Sequence, residues 1–223
     1  MNLGPMIAIS RFGRLLAGLG AVITWAALGV QLVLTVGAAL ARGMSWLEGL
    51  ALYLGYFTIL TNLAVAGALT ALGFAPRSWF GQFVLRPAVI TTIAAAIAAV
   101  GLGYAILLRG AWEPRGWHLA ADIALHYVTP GLFVAVWWGA LATGPRWTAW
   151  PIALIYPLVY LVYVGVRGAL TGFYPYPFFD VDRLGYAQTL ANTAWIALGY
   201  LLLVGGLVAL GRRRGRGRPR PQG

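Results

Sequence analysis

The chain has 223 residues, 61% of them hydrophobic and only 9% charged, with a mean hydropathy of +0.79; a soluble domain carries about a quarter charged residues. It has no cysteine, which excludes disulfides, thiolate metal sites and cysteine nucleophiles, and its 16 basic residues are all arginine, which excludes a lysine Schiff base. This is the composition of a polytopic membrane protein, and the formal net charge of +11 is placed as a topology signal rather than as a nucleic-acid surface.

Six segments reach the roughly 20 residues that cross a bilayer core. They are Leu15–Leu40, Leu50–Phe74, Pro87–Leu108, Leu119–Ala142, Trp150–Thr171 and Tyr186–Leu210. Short connections predict antiparallel neighbours in one all-α bundle, a single transmembrane domain over residues 1–211. The first span follows Arg11 and Arg14 and ends in Ala39-Leu40-Ala41, which looks like a signal-peptide cleavage site. Its apolar run is about twice the usual signal-peptide length, so it reads as a true span.

Arginine placement sets the orientation. Arg11, Arg14, Arg77, Arg86, Arg146 and the tail arginines fall on one side; Arg42, Arg109, Arg115 and Arg183 fall on the other, balanced by Glu48, Glu113, Asp180 and Asp182. The positive-inside rule then puts both termini in the cytoplasm of a cell whose plasma (inner) membrane holds the protein. High Ala, Gly, Pro and Arg with no Lys suggests a bacterial source. The tail from Arg212 to Gly223 is rich in Arg, Gly and Pro; it is expected to be disordered and to meet anionic lipid head groups. No aromatic residue interleaves its arginines, so no nucleic-acid partner is expected.

Two loops stand out. Residues 76–83 mix Trp79, Phe80 and Phe83 with Arg77, as an interfacial segment does. Residues 173–180, Phe-Tyr-Pro-Tyr-Pro-Phe-Phe-Asp, set aromatics around Pro175 and Pro177. Such a stretch is rigid and non-helical, and it reads either as a membrane anchor or as a lid over a cavity.

The polar residues inside the spans gather toward one end. With the helical rise, Thr58 lies roughly 12 Å in from the outer end of span two and His126 roughly 10 Å in on span four. Asp122 sits one turn shallower than His126. Thr61 and Asn62, Arg167 of span five, and Gln188, Thr189, Asn192 and Thr193 of span six lie in the same half, with Gln31 at a comparable level. Polar groups in hydrocarbon need partners, so a shared cavity in the outer half is expected. Asp122 and His126, four apart, share a helical face, so the carboxylate can hold one imidazole tautomer in the manner of a catalytic dyad. Asp122 paired with Arg167 as a buried ion pair, with His126 bonded to a neighbouring helix, explains the same residues structurally.

His118 and His126 are the only histidines, which excludes haem held between histidines of two helices. No familiar zinc spacing, P-loop or Gly-x-Ser-x-Gly elbow occurs. No metal and no cofactor is implied. A nucleophile in the polar layer has to be threonine, since Ser10, Ser45 and Ser78 lie outside it.

Tyr56-Phe57-Thr58 followed by Asn62-Leu63, then Leu125-His126 with Pro130, then Thr171-Gly172-Phe173-Tyr174-Pro175-Tyr176-Pro177-Phe178 resembles the androgen-induced and androgen-dependent membrane protein family, and its bacterial six-span relatives most of all. Members of that family are intramembrane hydrolases of fatty acid esters of hydroxy fatty acids that use a threonine and a histidine. The resemblance implies Thr58 as nucleophile and His126 as base, with Thr61 as the alternative nucleophile because one extra residue separates Thr58 from Asn62-Leu63. The resulting expectation is a lipid-ester hydrolase acting on a lipid-like substrate. Asp122 orients the ring, Asn62, Arg167 and Asn192 are candidates for substrate or oxyanion contacts, and the aromatic loop is a lid. The competing expectation is a transporter or lipid-binding membrane protein with an Asp122, His126 and Arg167 relay and no catalysis.

Overall fold

A computed structural model of the chain describes residues 9–110, 113–140, 145 and 150–216. Among the described residues there is no strand, and six helices are long and apolar enough to cross a membrane. The protein is an all-α, six-span integral membrane bundle. Span one is α1 (Arg11–Ala41). A short helix α2 (Trp46–Tyr53) precedes span two, α3 (Phe57–Phe74), and α4 (Trp79–Val84) follows it. Span three is α5 (Pro87–Gly103) continued by a π-helical turn, Tyr104–Leu108. Span four is α6 (Trp117–Ile123), a π-helical turn Ala124–Val128, and α7 (Thr129–Ala140). Spans five and six are α8 (Trp150–Thr171) and α9 (Val181–Arg216).

Span two begins later than its hydropathy predicts, after a separate short helix. Ser45 and Glu48 form a capping box: the Ser45 hydroxyl accepts from the Glu48 N–H, and the Glu48 carboxylate accepts from the Ser45 N–H at 2.7 Å. These bonds to Ser45 hold the Glu48 carboxyl below its ordinary range. They fix α2 as a separate element, and the chain turns at Leu54–Tyr56 before α3 starts. Thr58 therefore lies in the first turn of α3, where helix N–H groups have no partner within the helix. Helix α9 is broken at Gly185 (φ 74°, ψ 163°), just before the Tyr186 at which hydropathy places the start of span six. That conformation is essentially open to glycine alone.

The C-terminal end departs from expectation in the other direction. Helix α9 runs through Arg216, into the stretch expected to be disordered. Arginine is a good helix former, and cations are favoured at a helix C-terminus. The Arg214 guanidinium also lies 4.5 Å from the Trp138 ring centroid. Residues 217–223, Arg146 and the expected end of span four at 141–142 lie outside the described residues.

Span three is the central helix, packing on spans two, four, five and six. Its Ile90, Ala94, Ala95 and Ile97 meet Leu69 and Leu72 of span two, Phe133 and Trp137 of span four and Val204 of span six in one buried core. Spans one and two approach so closely at Gly18 and Gly73 that a Cβ added at Gly73 would lie 2.7 Å from the Gly18 nitrogen and 2.8 Å from its Cα. Small residues at such a crossing let backbones touch. Gly73→Ala is therefore expected to lower stability by about 1–3 kcal/mol, read as a drop in detergent melting temperature. An unchanged melting temperature would refute this crossing.

Two prolines inside spans each free a carbonyl four residues back. Pro157 frees the Ala153 carbonyl, which accepts a bond from the Tyr200 hydroxyl of span six at 2.9 Å. Pro130 leaves the His126 carbonyl without its usual donor, and a Cβ added at Gly101 of span three would lie 3.1 Å from that oxygen. Next to it the helix widens: the Thr129 N–H reaches back to the Ala124 carbonyl. Span three makes the same excursion, with the Arg109 N–H bonded to the Tyr104 carbonyl at 2.8 Å. Such π-turns re-aim side chains and often mark functional sites. Here they bring Tyr104 and His126 face to face, with ring centroids 3.9 Å apart.

Candidate functional site

A cavity of about 560 Å³ lies between spans three, five and six, closed at one end by the segment 176–179. Its walls are apolar apart from the hydroxyls of Thr58, Tyr104, Tyr160, Tyr176, Thr193 and Tyr200 and the indole N–H of Trp195, and no charged side chain lines it among the described residues. Ile106 and Trp195 on its rim are 76% and 73% exposed. Both sit on transmembrane helices, so the cavity gives onto the lipid-facing side of the bundle.

The polar end is built by the start of α3 and the proline-rich loop. The Tyr176 hydroxyl accepts from the Thr58 N–H at 3.3 Å and pairs with Thr58 Oγ1 at 3.3 Å. Tyr176 is held there by rings: Tyr56 edge-on at 5.8 Å and Phe178 stacked at 5.2 Å. Asn192 braces the same segment, donating to the Phe178 carbonyl at 3.1 Å and accepting from Gln188 at 2.9 Å. Tyr176, Phe178 and Phe179 of the loop 173–180 line the cavity; Asn192 bonds to this loop, while its neighbour Thr193 lines the space.

Asn62 is fully buried behind Thr58. Its amide nitrogen donates to the Thr58 carbonyl at 2.8 Å and to the Leu125 carbonyl of span four at 3.3 Å. Both amide hydrogens are thus engaged, and Asn62 ties the threonine's helix to the histidine's rather than offering a donor to an oxyanion. Its Oδ1 is buried without a hydrogen-bond partner.

Asp122 and His126 come together as expected from their spacing. The His126 Nδ1 lies 3.0 Å from the Asp122 backbone carbonyl and 3.2 Å from its Oδ1. Only the carbonyl is aligned for a hydrogen bond, since Oδ1 has no such partner. A carbonyl only accepts, so Nδ1 carries the hydrogen and Nε2 is left as the basic nitrogen of the neutral ring. The other carboxyl oxygen accepts from the Tyr104 hydroxyl at 2.7 Å. Tyr104 lines the cavity and lies flat on the imidazole, whereas Asp122, His126 and Asn62 do not line it. No hydrogen bond joins Thr58 to His126.

The remaining sequence candidates lie elsewhere. Thr61 is 1% exposed and bonded to the Tyr156 hydroxyl at 2.8 Å, away from the cavity lining. Arg167 makes no ion pair with Asp122 or any other carboxylate among the described residues. Its guanidinium sits 4.7 Å over the Phe173 ring and 3.5 Å from the Tyr163 hydroxyl, packed on Gly55. The Asp122–Arg167 pair and the three-residue relay expected from depth are therefore not formed. Nor do the polar groups of five spans share one chamber. Thr24 and Thr129 pair with each other at 3.1 Å in the fully buried contact of spans one and four, and Gln31 bonds Thr35 of its own helix.

Sequence reasoning missed Tyr104, and it singled out the loop of Tyr176 without naming that tyrosine as a site residue. Tyrosine in an apolar span reads as core, and the π-turns that aim Tyr104 have no sequence signature beyond Pro130. The capping box at Ser45-Trp-Leu-Glu48 was a usable signal for a separate helix before Thr58. No family model, no curated protein and no solved structure matches the chain.

Proposed function

We propose that this protein is an intramembrane hydrolase of lipid esters, with Thr58 as nucleophile and His126 as base. The observation that carries the reading is that Thr58 Oγ1 stands at the hydroxyl-paired end of a lipid-facing apolar cavity, on a helix braced through Asn62 to the residue next to His126. The motif resemblance to the androgen-induced and androgen-dependent family supports it. In the reaction Thr58 Oγ attacks the ester carbonyl carbon while His126 Nε2 takes its proton. The carbonyl–alkoxy bond then breaks and the alcohol leaves with that proton. Water, deprotonated by the same nitrogen, attacks the acyl carbon, the bond from that carbon to Thr58 Oγ breaks, Oγ recovers the proton from the imidazole, and a carboxylic acid is released. The Tyr176 hydroxyl beside Thr58 Oγ1 suits a developing oxyanion. Asp122 fixes the ring through its carbonyl.

Arginine asymmetry supports a bacterial inner-membrane setting with both termini cytoplasmic and the cavity in the outer leaflet, with anionic lipid heads at the basic end. A second reading, lipid binding without turnover, is favoured by Tyr104, whose ring lies on the imidazole and keeps it out of the cavity wall. A fluorophosphonate probe separates the two. Purified wild type is expected to be labelled, Thr58→Ala and His126→Ala are not, and Thr61→Ala is labelled normally. Absence of labelling and ester turnover in well-folded wild type would leave the binding reading. Labelling lost in Thr61→Ala but kept in Thr58→Ala would move the nucleophile.

A further inference from the structure

We infer that the cavity takes an uncharged lipid with one long chain and a compact oxygen-bearing head, of the acylglycerol type, and that the Thr58–Tyr176 hydroxyl pair holds that head. The inference rests on the cavity being the ligand site of the reading above and names its substrate class. It requires no turnover.

Charge is the first argument. An unpaired charge in a low-dielectric chamber is strongly disfavoured, and no charged side chain lines this one among the described residues. Arg167 is the natural partner for a carboxylate head. It lies outside the lining, with its guanidinium over Phe173 and beside Tyr163. A fatty acid carboxylate or a phosphate head would enter without a counter-ion.

Hydrogen counting is the second. Of the hydroxyls that line the cavity, Tyr104 donates to Asp122, Tyr160 to the Gly55 carbonyl, Tyr200 to the Ala153 carbonyl and Thr193 to the Thr189 carbonyl. Their hydrogens are engaged within the protein. Thr58 and Tyr176 hold two hydroxyl hydrogens and share one contact, in which either oxygen can donate. One hydrogen is left over, the one hydroxyl donor the lining offers a ligand, alongside the indole N–H of Trp195 on the exposed rim. Burial pushes the Tyr176 phenol above its ordinary range, against the opposing effect of the Thr58 bonds, so it remains a neutral donor at physiological pH. A single hydroxyl donor among apolar walls matches a single acceptor oxygen, such as an ester carbonyl or an alcohol.

Size and access are the third. About 560 Å³ falls within the roughly 300–1,000 Å³ of sites for one small ligand, and the exposed rim at Ile106 and Trp195 lets a chain enter from the bilayer.

The test uses full-length protein in nanodiscs and a photoreactive, non-hydrolysable alkylglycerol ether carrying a diazirine in its chain. Crosslinks are mapped by peptide mass spectrometry at pH 8. They are expected within residues 154–161 and 193–203. Unlabelled alkylglycerol should compete at concentrations at least tenfold below those of the equal-length fatty acid carboxylate. Tyr176→Phe and Thr58→Val should each weaken competition about tenfold, the worth of one hydrogen bond to a ligand. The second variant keeps side-chain shape should the first disturb the loop. A carboxylate that competes equally well, or crosslinks confined to other surfaces, would overturn the inference. Tight ether binding with no hydrolysis of the matching ester would sustain it and count against the hydrolase alone.

Discussion

His126→Gln is expected to lower ester turnover by about 10²–10⁴-fold while leaving alkylglycerol binding unchanged. The split follows from where the ring lies. His126 does not line the cavity, so a lipid at rest there touches Tyr104 and Thr58 but not the imidazole. In the proposed reaction its Nε2 acts only when a proton leaves Thr58, with the Tyr104 ring displaced from the imidazole it now covers. Glutamine can still bond the Asp122 carbonyl and support the Tyr104 ring, but it cannot take a proton. Measured turnover and competition binding on the same preparation check this, with a melting curve to show that the variant folds. Binding that falls in step with turnover would mean that His126 is a packing residue. Turnover that survives would remove it from the chemistry.

Much of the architecture was legible from composition alone, because a bilayer admits few solutions. Long uncharged runs must be helices, and short connections force antiparallel neighbours. Span two shows where that logic stops. Hydropathy averages across Leu50–Phe74 and misses the turn at Leu54–Tyr56, whose carbonyls at Leu54 and Gly55 accept from the Tyr163 and Tyr160 hydroxyls of span five. The shift places Thr58 on a helix N-terminus, where its N–H is available to Tyr176. Spacing brought Asp122 and His126 together, since residues four apart on one helix need no tertiary information; depth matching across spans is a weaker guide. It failed for Arg167, where rotation about the helix axis decides: the guanidinium prefers the Phe173 face to a carboxylate on another span. Tyr104 was invisible for a related reason. Its direction is set by a π-turn opposite Pro130, a pairing of two irregular turns from different spans that no single-helix pattern encodes.

The Tyr104–Asp122 bond gives the most discriminating stability experiment. Asp122 is 5% exposed, and its Oδ2 accepts from Tyr104 at 2.7 Å. Removing one partner breaks a buried hydrogen bond to a carboxyl group, which costs about 1–3 kcal/mol. Asp122→Leu and Tyr104→Phe are each expected to lower the melting temperature accordingly. The double variant replaces both partners by apolar groups, a change that is often nearly neutral, so it should recover much of the loss. The coupling between the two sites would then be a direct measure of the bond. Strictly additive losses would mean that the bond contributes nothing and that each residue matters through packing. The contact of His126 with Asp122 runs through a backbone carbonyl that Asp122→Leu retains. If the carboxyl group serves only Tyr104, the double variant will regain turnover along with stability. If the carboxyl also orients the imidazole across the 3.2 Å contact from Oδ1, stability will return and turnover will not.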